Sequence, residues 1–143
     1  MIAEIQQRSD TTFRLFDHGR GRELHVENAI AVADAGPAKA GVEPERLSET
    51  RMLLASNSHF VFERIDLAPR SNRYLEAKQE TWLLVIRGSA RAGTFELMTG
   101  DAIFAQSDRI NLHAGGTGLV ALVAYTGGLV PELLICADME TSL

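Results

Sequence analysis

Four histidines, His18, His25, His59 and His113, are the side chains best able to hold a metal ion. Zinc sites draw three or four His, Cys or carboxylate ligands together at short, regular spacings. These four are scattered and none forms an HxH pair, so their spacing offers no metal site. Arg20, Arg22 and His25 make a small basic cluster. Such a cluster can meet a phosphate dianion through charge-assisted hydrogen bonds. Glu23 and Glu27 lie among the same residues, so an exposed ion-pair network is the competing reading. Arg14 sits between Asp10 and Asp17 and, from its neighbours alone, is a surface arginine paired with one of them. Gln6 could offer its amide to a ligand, or serve simply as a strand residue. Ser9, Ser56, Ser58 and Ser107 lack a GxSxG context or a nearby base, which leaves nucleophilic catalysis unsupported. Cys136, in the apolar run ELLICA, reads as a buried structural thiol. Phosphate-cradling glycine turns need a helix N-terminus behind them. Neither Gly115-Gly116 nor Gly127-Gly128 is followed by one, and both pairs read as hairpin turns.

The elements that must position these residues fall into an arm, residues 1–35, a linker, 36–49, and a body, 50–143. In the arm, Ile2–Gln7 reads as a strand. Val26, Ala29, Ile30 and Ala33 recur at helical spacing and form one apolar face. Gly36-Pro37 is expected to stop that helix. A helix so short is marginal alone and must pack on something. The linker, rich in Ala, Gly, Pro and Glu, lacks apolar periodicity. The body reads as β throughout, with strands expected at Phe60–Leu67, Tyr74–Ala77, Thr81–Arg87, Ala90–Phe95, Ala102–Ala105, Ile110–His113, Gly118–Tyr125 and Glu132–Cys136. Many short strands separated by turn signals argue a sandwich or barrel. Trp82–Ile86 and Leu119–Ala124 are apolar on both faces and should be central.

The 143 residues carry 14 Lys and Arg against 19 Asp and Glu, a net charge of −5 spread along the chain. No basic stripe exists for nucleic acid. The longest apolar run, Gly118–Tyr125, has the length of a strand and not of a membrane span. The start, MIAEIQQRSD, lacks the order of a secretory signal. One cysteine excludes an internal disulfide, and a reducing cytoplasm is the expected setting.

The body resembles a cupin, a small double-stranded β-helix barrel. The resemblance rests on QETWLLVIRGSARAG followed by MTGDAIFAQSDRINL. Gln106 stands where the cupin pattern usually has proline. Residues 4–30, EIQQRSDTTFRLFDHGRGRELHVENAI, are similar to a signature segment of type I mannose-6-phosphate isomerases. The shared positions include Gln6-Gln7, Ser9-Asp10, Arg14 and Arg22-Glu23-Leu24-His25, while His18 replaces a usual aromatic residue. In that family the segment joins the catalytic cupin to a C-terminal cupin lobe, which is where the body falls.

The resemblance implies an all-β cupin with an N-terminal arm, forming the C-terminal part of an aldose–ketose isomerase of mannose 6-phosphate and fructose 6-phosphate. The family's zinc is held by His, Glu and His ligands upstream of the matched segment, so no cofactor is expected in this chain and little activity in isolation. Tyr74, Glu76, Thr81, Ile110 and Asn111 fall near the usual cupin ligand positions, and their single carboxylate cannot hold zinc. Arg14 matches the family's active-site arginine, which suits it to hold substrate oxygens and stabilise enediolate charge. Gln6, Gln7, Asp10, Arg20 and Arg22 are the candidate sugar-phosphate contacts. The alternatives are a stand-alone, metal-free cupin that binds or interacts, and a small metal-dependent cupin enzyme carrying stoichiometric metal. Ile2–Gln7 without its partner strand would leave an open edge, so a homodimer, formed by exchange of the arm, is expected.

Overall fold

Strict alternation in Phe60–Leu67 turns Val61, Glu63, Ile65 and Leu67 to one face and Phe62, Arg64 and Asp66 to the other. The first set is buried, and the same rule builds the rest of the barrel. The computed structural model describes residues 12–36 and 43–136. The chain divides into two units, Met1–Gly41 and Val42–Leu143.

The first unit holds one helix, α1 (Val26–Val32), which ends at Ala33 in extended backbone. The stop therefore comes before Gly36-Pro37. Of the expected apolar face only Ala29 is buried; Val26 and Ile30 are exposed. The expected strand Ile2–Gln7 lies outside the described residues.

The second unit contains β1 (Glu45–Arg46), β2 (Arg51–Ser56), β3 (Phe60–Leu67), β4 (Asn72–Ala77), β5 (Thr81–Ala92), β6 (Phe95–Met98), β7 (Ala102–Ala105), β8 (Asp108–Thr126) and β9 (Leu134–Cys136). Every pairing is antiparallel. One wall runs β1-β2-β3-β8-β5-β7 and the other β9-β4-β8-β5-β6, so the long strands β5 and β8 belong to both. Val61, Ile65, Leu75, Leu83, Val85, Leu112, Leu119 and Val123 fill the space between them. No helix among the described residues is long and apolar enough to cross a membrane.

Two glycine expectations are corrected. Gly88 does not end a strand, and Gly115-Gly116 is not a hairpin turn; each lies inside a continuous strand. Gly88 and Gly118 both have φ of +82° and face each other where the β5–β8 register slips from Gly88↔Leu119 to Ala90↔Ala114. A Cβ at Gly88 would stand 2.0 Å from the Gly118 carbonyl oxygen. Positive φ and the close approach bend the strands from one wall into the other where the β5–β8 ladder skips from Leu119 to Ala114.

β1, β2 and β6 were not legible. β1 pairs Glu45 with Leu53 and Arg46 with Met52 but is exposed and patternless. β2 carries an irregularity between Leu53 and Ala55 that breaks its alternation. Trp82–Ile86 is central by pairing, as expected, but its outer face is uncovered: Trp82 is 56 % exposed.

Candidate functional site

Among the described residues, Arg14, Arg20, Arg22 and His25 belong to a small folded loop closed on itself. His25 N donates to Arg14 O at 2.8 Å, and Arg14 N donates to His25 Nδ1 at 3.2 Å. Positive φ at His18, Gly19 and Gly21 turns the chain between them. Arg14 Nη1 donates to Glu23 O at 2.9 Å, and its Nε lies 3.8 Å from Asp17 Oδ1. Arg22 donates from its Nε to Asp17 Oδ1 and from its backbone N to Oδ2. The backbone N of Arg20 donates to Asp17 O at 3.1 Å. Arg14 and Arg22 thus stand together at Asp17, where their positive charges are partly answered, and His25 bonds to the Arg14 backbone. The Asp17 carboxyl is held below the usual carboxylate range, chiefly by the backbone N–H of Arg22, then by the Arg22 guanidinium and the charge of Arg14; its partial burial opposes this. The basic cluster pairs with Asp17 more than with the expected Glu23 and Glu27. Only His25 approaches Glu23, at 4.0 Å. Among the described residues Arg14 Nη2 has no partner, and the side chain is 30 % exposed. Gln6, Gln7 and Asp10 lie outside the described residues.

The positions near the usual cupin ligand sites do other work. Arg109 Nε lies 2.9 Å from Glu76 Oε1, and the guanidinium carbon stands 4.1 Å above the Tyr74 ring. Tyr74 is opposite Asn111, and Leu75 opposite Ile110. The Thr81 hydroxyl donates to Gln79 O. Among the described residues no group of three or more His, Cys, Asp or Glu could hold a metal ion. The donor set therefore does not fit the zinc that the resemblance implies for the full-length family.

Sequence reading missed the polar centre of the barrel. Arg51 Nε and Nη2 donate to both oxygens of Glu63, at 2.8 and 2.7 Å, and Nη2 also donates to Pro131 O at 2.9 Å. The Tyr125 hydroxyl donates to Glu63 Oε1. Glu63 is fully buried. Burial and the neighbouring carboxylate push the Tyr125 hydroxyl well above the usual tyrosine range. Burial tends to lower the Arg51 pKa, but its bonds to Glu63 outweigh that and raise it. The signal was present: in FVFERIDL, Glu63 occupies an inward position of an alternating strand, and a buried carboxylate requires a partner.

A cleft of about 900 Å³ opens beside the β5–β6 hairpin. Leu97, Ile103, Phe104 and Ile110 supply apolar wall, and Glu96, Asp101, Asp108, Arg109 and Asn111 supply polar groups. Cys136, expected to be buried, is half-buried in β9.

No family model and no curated protein matches the sequence. Solved structures do match. Oxalate decarboxylase of Bacillus subtilis, a protein with Mn(II) centres, aligns with a TM-score of 0.54 and 17% identity over 68% of this chain and 31% of its own. An uncharacterized protein with a double-stranded β-helix domain from Klebsiella pneumoniae subsp. pneumoniae aligns with a TM-score of 0.50 and 16% identity, over 66% of this chain and 90% of its own. A chain of the Rhodobacter sphaeroides SigE–ChrR complex aligns at 0.48 and 17% identity, over 59% and 48%. This chain spans about half the length of that match and under a third of the decarboxylase. The fold is the cupin fold, a double-stranded β-helix with a short helix in the arm before it.

Proposed function

We propose that this cupin-fold chain serves as the C-terminal part of a type I mannose-6-phosphate isomerase, interconverting mannose 6-phosphate and fructose 6-phosphate together with a metal-bearing cupin that supplies the zinc. The observation that carries this reading is the segment 4–30. The matched residues Arg14, Arg22, Glu23 and His25 are the ones that bond to one another or to Asp17 in the arm. In this reading Arg14 is the catalytic residue. Its guanidinium is oriented by the Glu23 carbonyl and Asp17, and Nη2 faces the sugar oxygens. Arg20 and Arg22, with Gln6, Gln7 and Asp10, contact the sugar phosphate. Such an orienting role suits arginine, which stays charged and presents a planar fork of donors.

The test is to mix this chain with the metal-bearing lobe of a type I isomerase and follow mannose 6-phosphate turnover. Turnover should require both parts and fall at least about 100-fold with Arg14→Ala, the loss typical of one donor to a developing oxyanion. Turnover indifferent to Arg14, or robust turnover by this chain alone with added zinc, would refute the proposal.

The cleft supports a second reading, a metal-free binding module. Apolar walls with a few polar groups are the usual make-up of a small-molecule site. Under that reading Ile103→Asp, which puts a charge on the apolar wall of the cleft, weakens binding of an apolar fluorescent probe there.

A further inference from the structure

The charge around the cleft beside the β5–β6 hairpin is uneven. Its apolar wall is flanked by three carboxylates, Glu96, Asp101 and Asp108, against one cation, Arg109. That cation is already answered, because Arg109 Nε lies 2.9 Å from Glu76 Oε1 and the guanidinium stands over the Tyr74 ring. Glu96 is opposite Arg91 across β5 and β6, which offsets part of its charge. Asp101 and Asp108 are placed differently. Each accepts one backbone N–H, from Met98 at 2.8 Å and from Arg109 at 2.7 Å. Neither belongs to an ion pair among the described residues. A carboxylate has about four acceptor sites, so most of each stays open to a ligand. Between the two in the chain lie Ile103 and Phe104 of β7. Phe104 is 47 % exposed, and Phe95, also in the lining, is 68 % exposed. The face of an exposed aromatic ring attracts a cation.

We propose that this cleft takes an apolar organic amine, its protonated nitrogen held by Asp101 or Asp108 and its hydrocarbon body laid against Ile103, Phe104 and Ile110. Charge complementarity selects this class. A cation gains from the open carboxylates and from the aromatic faces. A sugar phosphate or another anion would meet like charge there, and the chain's net charge of −5 adds to that repulsion. A neutral apolar molecule would cover the carboxylates without answering them, which costs free energy. A bare metal ion does not fit either, since among the described residues no three His, Cys, Asp or Glu come together to hold one. The cleft, at about 900 Å³, has the volume of a small-molecule site. This inference rests on the binding-module reading of the cleft and is independent of the isomerase reading.

Three probes of one shape and different charge test it: phenylbutylamine, phenylbutanol and phenylbutyrate, titrated into the full chain at neutral pH and followed by amide NMR shifts. Shifts at Ile103 and Ile110 place a probe in the cleft. The amine should bind several-fold more tightly than the alcohol and at least about 10-fold more tightly than the carboxylate. Its advantage over the alcohol should shrink at high salt. Asp101→Asn and Asp108→Asn both keep an oxygen for the backbone N–H that the carboxylate accepts, so the fold is retained while the charge is lost. At least one of them should reduce amine binding several-fold and leave alcohol binding unchanged, and either variant decides the matter if the other misfolds. Equal binding of amine and alcohol, a preference for the carboxylate, or an amine preference that survives both substitutions would overturn the proposal. In those cases alcohol binding that is weakened by Ile103→Asp leaves the binding-module reading standing. If none of the three probes shifts the cleft amides, both fall.

Discussion

Substitution of Arg51 probes the barrel centre most sharply. Glu63 is fully buried and takes three hydrogen bonds, two from Arg51 and one from Tyr125. Arg51→Met removes two of them and leaves a carboxylate in the core without its countercharge. Removing one partner of a buried pair costs about 3–5 kcal/mol, a large part of the roughly 5–15 kcal/mol by which such domains are stable. Tyr125→Phe removes a single bond to a charged acceptor and should cost about 1.5–3 kcal/mol. Arg51→Met with Glu63→Leu removes both charges together. Apolar replacements of whole buried pairs are often neutral or stabilising, so the double variant should be far more stable than the sum of the singles implies. Urea unfolding followed by circular dichroism reads the effect. With a slope of about 1–3 kcal/mol per molar, Arg51→Met should lower the midpoint by roughly 2 M. A loss below about 1 kcal/mol in Arg51→Met, or strict additivity in the double variant, would refute the argument that the pair is coupled and desolvated.

Other outcomes follow from the same contacts. Gly88→Ala should cost at least about 2 kcal/mol, since a Cβ would meet the Gly118 oxygen and the positive φ adds its own strain; thermal unfolding checks it. The Tyr125 hydroxyl has its pKa raised in the fold. Its contribution is therefore complete below the ordinary tyrosine range near pH 10 and is lost as pH rises beyond it. Alkaline unfolding curves should show a limb that Tyr125→Phe removes. Asp17 has its pKa lowered, so its contribution is present above the ordinary carboxylate value of 3.8 and is lost as pH falls through the lower folded one. Amide exchange at Arg22 should accelerate over that acid range, and Asp17→Asn should show the acceleration at neutral pH.

The β architecture was legible because alternation and turn residues are local signals: Phe60–Leu67 and Ala102–Ala105 appear with the expected bounds. The continuity of β5 and β8 was not, because glycine in a strand looks the same whether it turns the chain or bends it. Only the close approach of Gly88 and Gly118 on the neighbouring strands β5 and β8 decides between these, and that is a long-range fact. At the arm, spacing offered Arg14 either Asp10 or Asp17, and Asp17 stands 3.8 Å from its Nε, whereas the Arg14–His25 closure depends on backbone turns at His18, Gly19 and Gly21. Glu63 could have been singled out from its inward place in the alternation. Its partners, 12 and 62 residues away, could not.

The proposed function assigns catalysis to Arg14 of the first unit and a bound metal ion to none of the described residues of the second, 43–136. Elemental analysis of the full chain, purified from zinc-supplemented medium and dialysed, tests it most directly. The account predicts zinc far below one ion per chain, and no change when Glu76 is replaced by Gln. One tightly held ion per chain, lost on substituting side chains within residues 50–136, would contradict it.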